Sequence, residues 1–486
     1  MTSSLIHKPP HESDKPFATS LYESFQLLKP QLKPPFSLAI LTQPQYLNLN
    51  SALLYAILTC EPHHVKIHLK HLHGIVTDGY SLFTSLVTKL VNELYQNLVE
   101  NVKLQLIWVV SELIDVNAVG VEGLLVALLR QTRGGDFSDG NLWLCSELVG
   151  IFLVKWECLV ENEAFVVSCG LFVFLRLLGD HCRVSLNTKV EALKRKEIEF
   201  CVRVFKEEFR LCLKFGRDLV RLLQDLAHVP EFRDIWKDLL LHPNRFKTFG
   251  FYDILQLYQL RTSSRYFLLR ISPEMETHLR FLLTHVKLGS QMRYQIWFRK
   301  KFINENESVL IDIVRFVCCA HHPSNKVILS NVTPRWAVIG WLLKCCSKNH
   351  VEANVKLALF YDWLFFNKEV DNVMNIEPGI LLMINSVPKY ADMTNNLLEF
   401  LFLLMDHYDI EKKDLIFKGV SSALDVVERK GVVQSFDALT NCGVIYPFLK
   451  ERFAKMLPNK NVSKLPTKTG DLVACTLTRS LQNSVN

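Results

Sequence analysis

Glycine and proline are scarce, at 19 and 18 in 486 residues, below the usual combined share of roughly 12%. So few chain breakers leave little material for the many tight turns of a sandwich or barrel. Alternation of apolar and polar residues between hairpin turns is also hard to find. The phosphate-cradling patterns G-x-x-x-x-G-K-[S/T] and G-x-G-x-x-G are missing, and so is the G-x-S-x-G turn that presents a nucleophilic serine. These absences argue against nucleotide-dependent and serine-hydrolase chemistry. No uninterrupted apolar run reaches the ~18 residues needed to cross a membrane. The longest candidate, AFVVSCGLFVFLRLLGD (164–180), is short and carries Arg176. The opening stretch MTSSLIHKPPHESDKPFATS has no apolar core of signal-peptide type. No membrane span and a reducing, intracellular setting are the expectations.

Hydrophobic residues make up 49% of the chain and charged residues 22%, enough to bury a large core. The net charge of +7 is mild for a dedicated nucleic-acid binder, and it is unevenly spread. Residues 111–163 hold Glu112, Asp115, Glu122, Asp136, Asp139, Glu147, Glu157, Glu161 and Glu163. Residues 261–301 hold Arg261, Arg265, Arg270, Arg280, Lys287, Arg293, Arg299, Lys300 and Lys301 against Glu274 and Glu276. Such polarity suits docking between proteins better than a nucleic-acid surface.

Amphipathic segments of helical period dominate from about residue 46. The clearest runs through 188–230, where Ile198, Cys201, Phe205, Phe209, Cys212, Leu219, Leu222 and Leu226 form one apolar stripe. Arg203, Lys206, Glu207, Arg210, Lys214 and Arg217 fill the opposite, solvent-facing surface on this reading, and Pro230 ends the segment. Ser272-Pro273-Glu274 and Thr333-Pro334-Arg335 read as helix starts, a capping hydroxyl before proline at the first helical position. Many helices with short connections predict an all-α, HEAT-like α-solenoid of stacked helix pairs with degenerate repeats. The expected organisation is a flexible, proline-containing lead-in over 1–45, a helical-repeat scaffold over 46–457, and a polar flexible tail over 458–486.

Four segments raise chemical questions. CEPHHVKIHLKHLHG (60–74) clusters Cys60, His63, His64, His68, His71 and His73, a ligand mix zinc would favour, but no C-x-x-C half-site accompanies it. CCAHH (318–322) cannot converge consecutive ligands from a regular helix, so buried cysteine acting as a small hydrophobe is the better reading. KLALFYDWLFF (356–366) reads as core packing before base stacking. RYQIWFRKKF (293–302) places Arg293, Arg299, Lys300 and Lys301 among aromatics, equally a phosphate or acidic-partner patch and a helix end whose cations offset the dipole. No catalytic, cofactor-binding or metal site is expected.

Longer strings carry a family resemblance: VKLQLIWVVSELI, GNLWLCSELVGIF, FGRDLVRLLQDLAHVPEFRDIWKDLL, ISPEMETHLRFLLTHVKLGSQMRYQIWF, HPSNKVILSNVTPRWAVIGWLLKCC, NVKLALFYDWLFF and VMNIEPGILLMINSV. In this order, over roughly 50–455, the chain resembles the N-terminal half of the Integrator complex subunit 3 family, whose members also serve in the SOSS (sensor of single-stranded DNA) complex. The resemblance implies a non-catalytic helical scaffold in the nucleus. It implies as partners an OB-fold single-stranded-DNA-binding protein, the small SOSS subunit and other Integrator subunits, with DNA contact made chiefly through the OB-fold partner. It implies roles in the DNA double-strand-break response and in Integrator-linked RNA 3′-end processing. The Cys60–His73 cluster is not part of that pattern. The family continues with a second helical domain used for dimerisation and for another Integrator subunit. Nothing after about 459 matches it, so a short form and an incomplete gene model are the two readings.

The partner-docking candidate is RGGDFSDGNLWLCSEL (133–148), with Gly134, Gly135, Asp136, Asn141, Trp143 and Glu147. Two other readings stay open: a helical-repeat protein binding nucleic acid directly through Arg293, Arg299, Lys300 and Lys301, and an unrelated α-solenoid adaptor. The tryptophan-rich segment 322–346 is expected to be a packed helix entry, with Thr333 as cap, Pro334 in the first turn, and Trp336 and Trp341 as core anchors.

Overall fold

The computed structural model describes residues 4–7, 15–36, 41–184, 188–304 and 306–457. Among them lie 26 α-helices, and the only β pairing is two isolated bridges, Ile6 with Leu98 and Lys287 with Val332. The main helix contacts join elements at most three positions apart along the chain. That neighbour-on-neighbour order is the α-solenoid arrangement, and the fold is all-α as expected. The chain divides into two compact units. One comprises Met1–Lys214, Leu222–Lys237 and Ser272–Glu274; the other comprises Phe215–Arg221, Asp238–Ile271 and the residues from Met275 onward.

In the first unit the helix Gln43–Thr59 opens on a capping box, with the Thr42 N–H donating to Gln45 Oε1 at 2.9 Å. It is buried without a break from Leu49 to Thr59, because helices Pro16–Leu28, Pro62–Ile75, Ser81–Leu94 and Glu100–Asp115 all pack on it. The helix Pro16–Leu28 lies inside the stretch expected to be a lead-in, and it buries Ala18, Leu21 and Phe25. The proposed tail at 458–486 lies outside the described residues. Further along, Asp139–Val154, Ala164–His181 and Thr188–Glu207 pack together through Phe152, Phe174 and Phe200, with ring centroids 5.2–5.9 Å apart. Ala164–His181 is the one described helix long and apolar enough to cross a membrane, and 89% of it is buried inside the protein.

The long stripe over 188–230 is three helices, not one: Thr188–Glu207, Phe209–Cys212 and Arg217–Asp225. Gly216 makes the last break. Its φ of +49° and the 2.3 Å between an added Cβ and the Leu260 carbonyl oxygen both require glycine. Pro230 starts the next helix, Pro230–Leu241, instead of ending a segment.

The second unit stacks Val309–Cys319, Arg335–Cys345, Asn349–Leu364, Glu377–Ser386, Ala391–His407, Lys413–Arg429 and Pro447–Met456. In KLALFYDWLFF, Phe360, Tyr361, Trp363 and Leu364 are wholly buried, so the core reading holds. Pro273 is the first residue of its helix, as expected. Thr333 is not a cap: its hydroxyl donates to the Val286 carbonyl at 2.9 Å, and the helix begins at Arg335 with Pro334 in the cap position. Trp336 and Trp341 are only half-buried, and Arg335 is the buried residue there. Its guanidinium donates to the carbonyls of Val317, Cys318 and His321 at 3.2–3.4 Å, covering the C-terminal end of Val309–Cys319, and pairs with Glu377.

Close helix packing makes a sharp prediction at Gly419, where an added Cβ would sit 2.5 Å from the Leu364 carbonyl oxygen. Gly419→Ala should destabilise the protein by about 1–3 kcal/mol through overpacking. Gly150→Ala meets nothing within 4 Å, so it should be neutral or stabilise by up to about 1 kcal/mol through helix propensity. Thermal unfolding of the two variants checks the contrast.

Candidate functional site

The 133–148 segment is a tight, internally bonded loop feeding a helix. Ser138 caps Asp139–Val154 by accepting from the Asn141 N–H, and Asp136 Oδ1 accepts from the Ser138 N–H at 2.9 Å. Asn141 holds the loop shut: its amide donates to the carbonyls of Arg133 at 2.9 Å and Asp136 at 2.7 Å, and its oxygen accepts from the Arg133 N–H. Asn141, named among the docking residues on sequence, is buried by these bonds. Gly134, Gly135, Asp136, Trp143 and Glu147 are half-buried, and Trp143 and Glu147 share one helix face. The exposed tip is Phe137, Ser138, Asp139 and Gly140. Phe137 and Asp139 escaped the sequence reading; the available signal was an aromatic residue standing alone among turn formers.

Beneath this loop lie two buried polar pairs. Arg176 Nη1 donates to Asp180 Oδ2 at 2.6 Å, and the chain at Gly134 passes so close that an added Cβ would sit 3.2 Å from both side chains. His181 Nδ1 lies 2.8 Å from Glu197 Oε2, both essentially inaccessible, and Phe137 meets His181 edge-on at 5.9 Å. Burial raises the Glu197 carboxyl above its usual range, with His181 pulling the other way.

Arg293, Arg299, Lys300 and Lys301 are all exposed on helix Met292–Phe302. The last three sit in its final turn, where they also complement the dipole. Phe298 anchors the opposite side against Trp341 at 6.0 Å.

The histidine-rich segment splits. Glu61, His63 and His64 are exposed, with possible ligand atoms within 4.8 Å of one another. His68 and His71 are buried instead, His68 pushed down to about 4 by burial and the neighbouring imidazoles, and His71 stacks on Phe36 at 4.0 Å. His73 Nδ1 lies 2.6 Å from the Tyr80 hydroxyl, and burial raises the Cys60 thiol. In CCAHH, Cys318 and Cys319 are buried and their thiols raised by burial, while His322 Nε2 meets Asn375 at 3.0 Å. Among the described residues no metal-ligand set forms there.

The largest departure from expectation is Arg217. Placed on a solvent face by its spacing, it is fully buried in the second unit. Its guanidinium donates to Asp371 at 2.9 Å and Asp362 at 3.5 Å. Arg315 donates to Asp362 at 2.9 Å and Asp218 at 2.8 Å, and lies 4.6 Å from the Phe267 ring centroid. Thr262 donates to Asp218 at 2.8 Å, Tyr361 donates to the Arg217 carbonyl at 2.6 Å, and the Cys319 thiol donates to Asp362 at 3.1 Å. Arg270 with Asp312 and Arg221 with Asp218 belong to the same buried group. Burial pushes the Asp218 carboxyl up, but Arg315, Arg270 and Arg221 outweigh it and hold it below its usual value. At Asp371 burial wins over Arg217, and the carboxyl is raised. Each of these carboxylates is spent on an arginine, and the arrangement locks helices together.

Compared with known proteins, residues 44–455 match a family model described as Integrator complex subunit 3 N-terminal. The chain belongs to the Integrator complex subunit 3 family. It is 39% identical over 430 residues to an Integrator complex subunit 3 homolog of Dictyostelium discoideum, covering 86% of this chain and 28% of that protein. It is 37% identical over 382 residues to Integrator complex subunit 3 of Danio rerio, covering 78% of this chain and 37% of the relative. For Homo sapiens Integrator complex subunit 3 the identity is 36% over 383 residues, 78% of this chain and 36% of the relative. The chain thus spans 28–37% of the length of these relatives. The Integrator subunit 3 match takes in the loop, the basic helix and the buried ion-pair group.

The ion-pair group predicts that Asp362→Ala, which strips a carboxylate from two buried arginines, costs about 3–5 kcal/mol. Asp406→Ala, at the half-exposed pair with Arg452, should cost about 0–1 kcal/mol. Similar losses in denaturant titrations would show that burial adds nothing. A second prediction concerns His321, pushed down to about 4 by burial and by Arg280 and Arg335. The unfolded chain binds this proton from about pH 6.5 downward and the folded chain does not. Stability should therefore fall as pH drops from 6.5 toward 4, at up to about 1.4 kcal/mol per pH unit. His321→Gln should flatten part of that slope in urea titrations.

Proposed function

We propose that this chain is a non-catalytic scaffold of an Integrator-type assembly, and that its 133–148 segment docks an OB-fold single-stranded-DNA-binding protein together with a small partner. On this reading it acts in the nucleus, in the DNA double-strand-break response and in Integrator-linked RNA 3′-end processing, and contact with DNA passes through the OB-fold partner. The family match over 44–455 carries the reading, because its relatives are named as subunits of a complex. Physical support comes from the loop. Asn141 and the buried pairs beneath it hold Phe137, Asp139, Trp143 and Glu147 in place before any partner arrives, which cuts the ordering cost of binding. Its carboxylates suit a partner presenting cations.

Binding of a purified OB-fold single-stranded-DNA-binding protein to the full chain, by calorimetry, tests the proposal. Phe137→Ala and Glu147→Lys should each weaken binding by about tenfold, near 1.4 kcal/mol, while the melting temperature holds. Unchanged affinity in both variants would remove the loop from the interface. No binding by the unaltered chain would overturn the scaffold reading itself.

A further inference from the structure

The exposed face of helix Met292–Phe302 has a composition that the docking loop does not share. Helical geometry orders its outward arc as Arg299, Met292, Ile296, Lys300, Arg293, Trp297 and Lys301. Met292 and Ile296 stand 71% and 63% exposed side by side within that arc, one turn apart. Arg299 borders them on one side, and Lys300 and Arg293 on the other. Beyond them Trp297 is 39% exposed, and Phe281 from the preceding helix, at 46%, extends the apolar ground through Tyr294, whose ring lies 5.5 Å from it. Among the described residues no carboxylate forms an ion pair with Arg293, Arg299 or Lys300. An aliphatic stripe fenced by unpaired cations is costly to leave in water and selects its occupant by charge.

We propose that this face docks an acidic amphipathic helix of a partner protein, its apolar side on Met292, Ile296 and Trp297 and its carboxylates on Arg293, Arg299 and Lys300. Charge complementarity singles out that class of occupant, and side-by-side packing of two helices supplies the geometry. The chain's own 458–486 segment carries Lys460, Lys464, Lys468 and Arg479 against Asp471, the wrong sign for this face. Single-stranded nucleic acid fits less well. Base stacking needs free ring faces, yet Lys301 Nζ lies over Trp297 at 5.4 Å from its centroid and His285 covers Phe281 in parallel at 5.2 Å. Aliphatic Met292 and Ile296 offer a base nothing to stack on.

The test uses the full chain and three fluorescent probes: a synthetic acidic helical peptide with leucines at i, i+3, i+4 and i+7, the same residues scrambled to destroy that period, and oligo-dT. Anisotropy titration should give saturable binding of the amphipathic peptide, at least about tenfold tighter than the scrambled one, a gap of 1.4 kcal/mol. Ile296→Asp and Lys300→Glu lie at exposed positions where folding is little affected, and each should erase that preference without lowering the melting temperature. Equal binding of both peptides would reduce the face to nonspecific charge and overturn the proposal. Tighter binding of oligo-dT, lost in Lys300→Glu, would reassign the face to nucleic acid. Self-association of the chain that Lys300→Glu abolishes would reassign it to a second copy. Absence of peptide binding would end the proposal.

Discussion

Buried charge has to be cancelled locally, and the second unit is organised around that requirement. Arg217, Arg221, Arg270 and Arg315 are withdrawn from water together with Asp218, Asp312, Asp362 and Asp371. An isolated ion in such a place would cost several kcal/mol, so each member holds its position only while the others hold theirs. The consequence is geometric. Residues as far as 154 positions apart meet within hydrogen-bond distance, which pins the start of Arg217–Asp225 to Val309–Cys319, Asn349–Leu364 and the turn at 367–371. Packed hydrophobes could have filled the same volume; paired charges admit one alignment.

The first unit reaches rigidity by another route. Interlocked rings at Phe152, Phe174 and Phe200 fill its middle, and two buried polar pairs, Arg176 with Asp180 and His181 with Glu197, interrupt the apolar interior. Both pairs lie under the 133–141 loop. Gly134 of the loop passes close over Arg176 and Asp180, and Phe137 packs edge-on against His181. A surface shaped by its own hydrogen bonds loses little entropy on docking.

Charge asymmetry along the chain acquires meaning once it is placed. The carboxylate-rich stretch 111–163 belongs to one unit and includes the loop; the cationic helix Met292–Phe302 belongs to the other. Not every arginine of the 261–301 stretch is free surface charge: Arg270 is buried with Asp312, and the exposed Arg280 pairs with Glu276. Among the exposed cations, Arg293, Arg299, Lys300 and Lys301 share one helix, while Arg261, Arg265, Arg280 and Lys287 lie outside it. A formal charge count over sequence windows therefore overstates the free positive charge at the surface.

Helical class, the stacked arrangement, the core role of KLALFYDWLFF and the solvent exposure of Arg293, Arg299, Lys300 and Lys301 were all legible in the sequence, because each depends on composition and local period. Family membership was legible too, in long ordered strings. Local period misplaced Arg217, since a stripe projected through Gly216 assumes a continuous helix, and one left-handed glycine rotates everything after it. It gave no sign that Asn141 is buried and passed over Phe137, because whether a turn residue faces inward depends on which backbone groups need satisfying. It joined His63, His64, His68 and His71 into one cluster that burial divides between surface and core. Short-range pattern, then, determined which segments are helices and which faces are apolar. Long-range pairing of charge, visible only when distant helices meet, decided which polar residues are structure and which are left to bind.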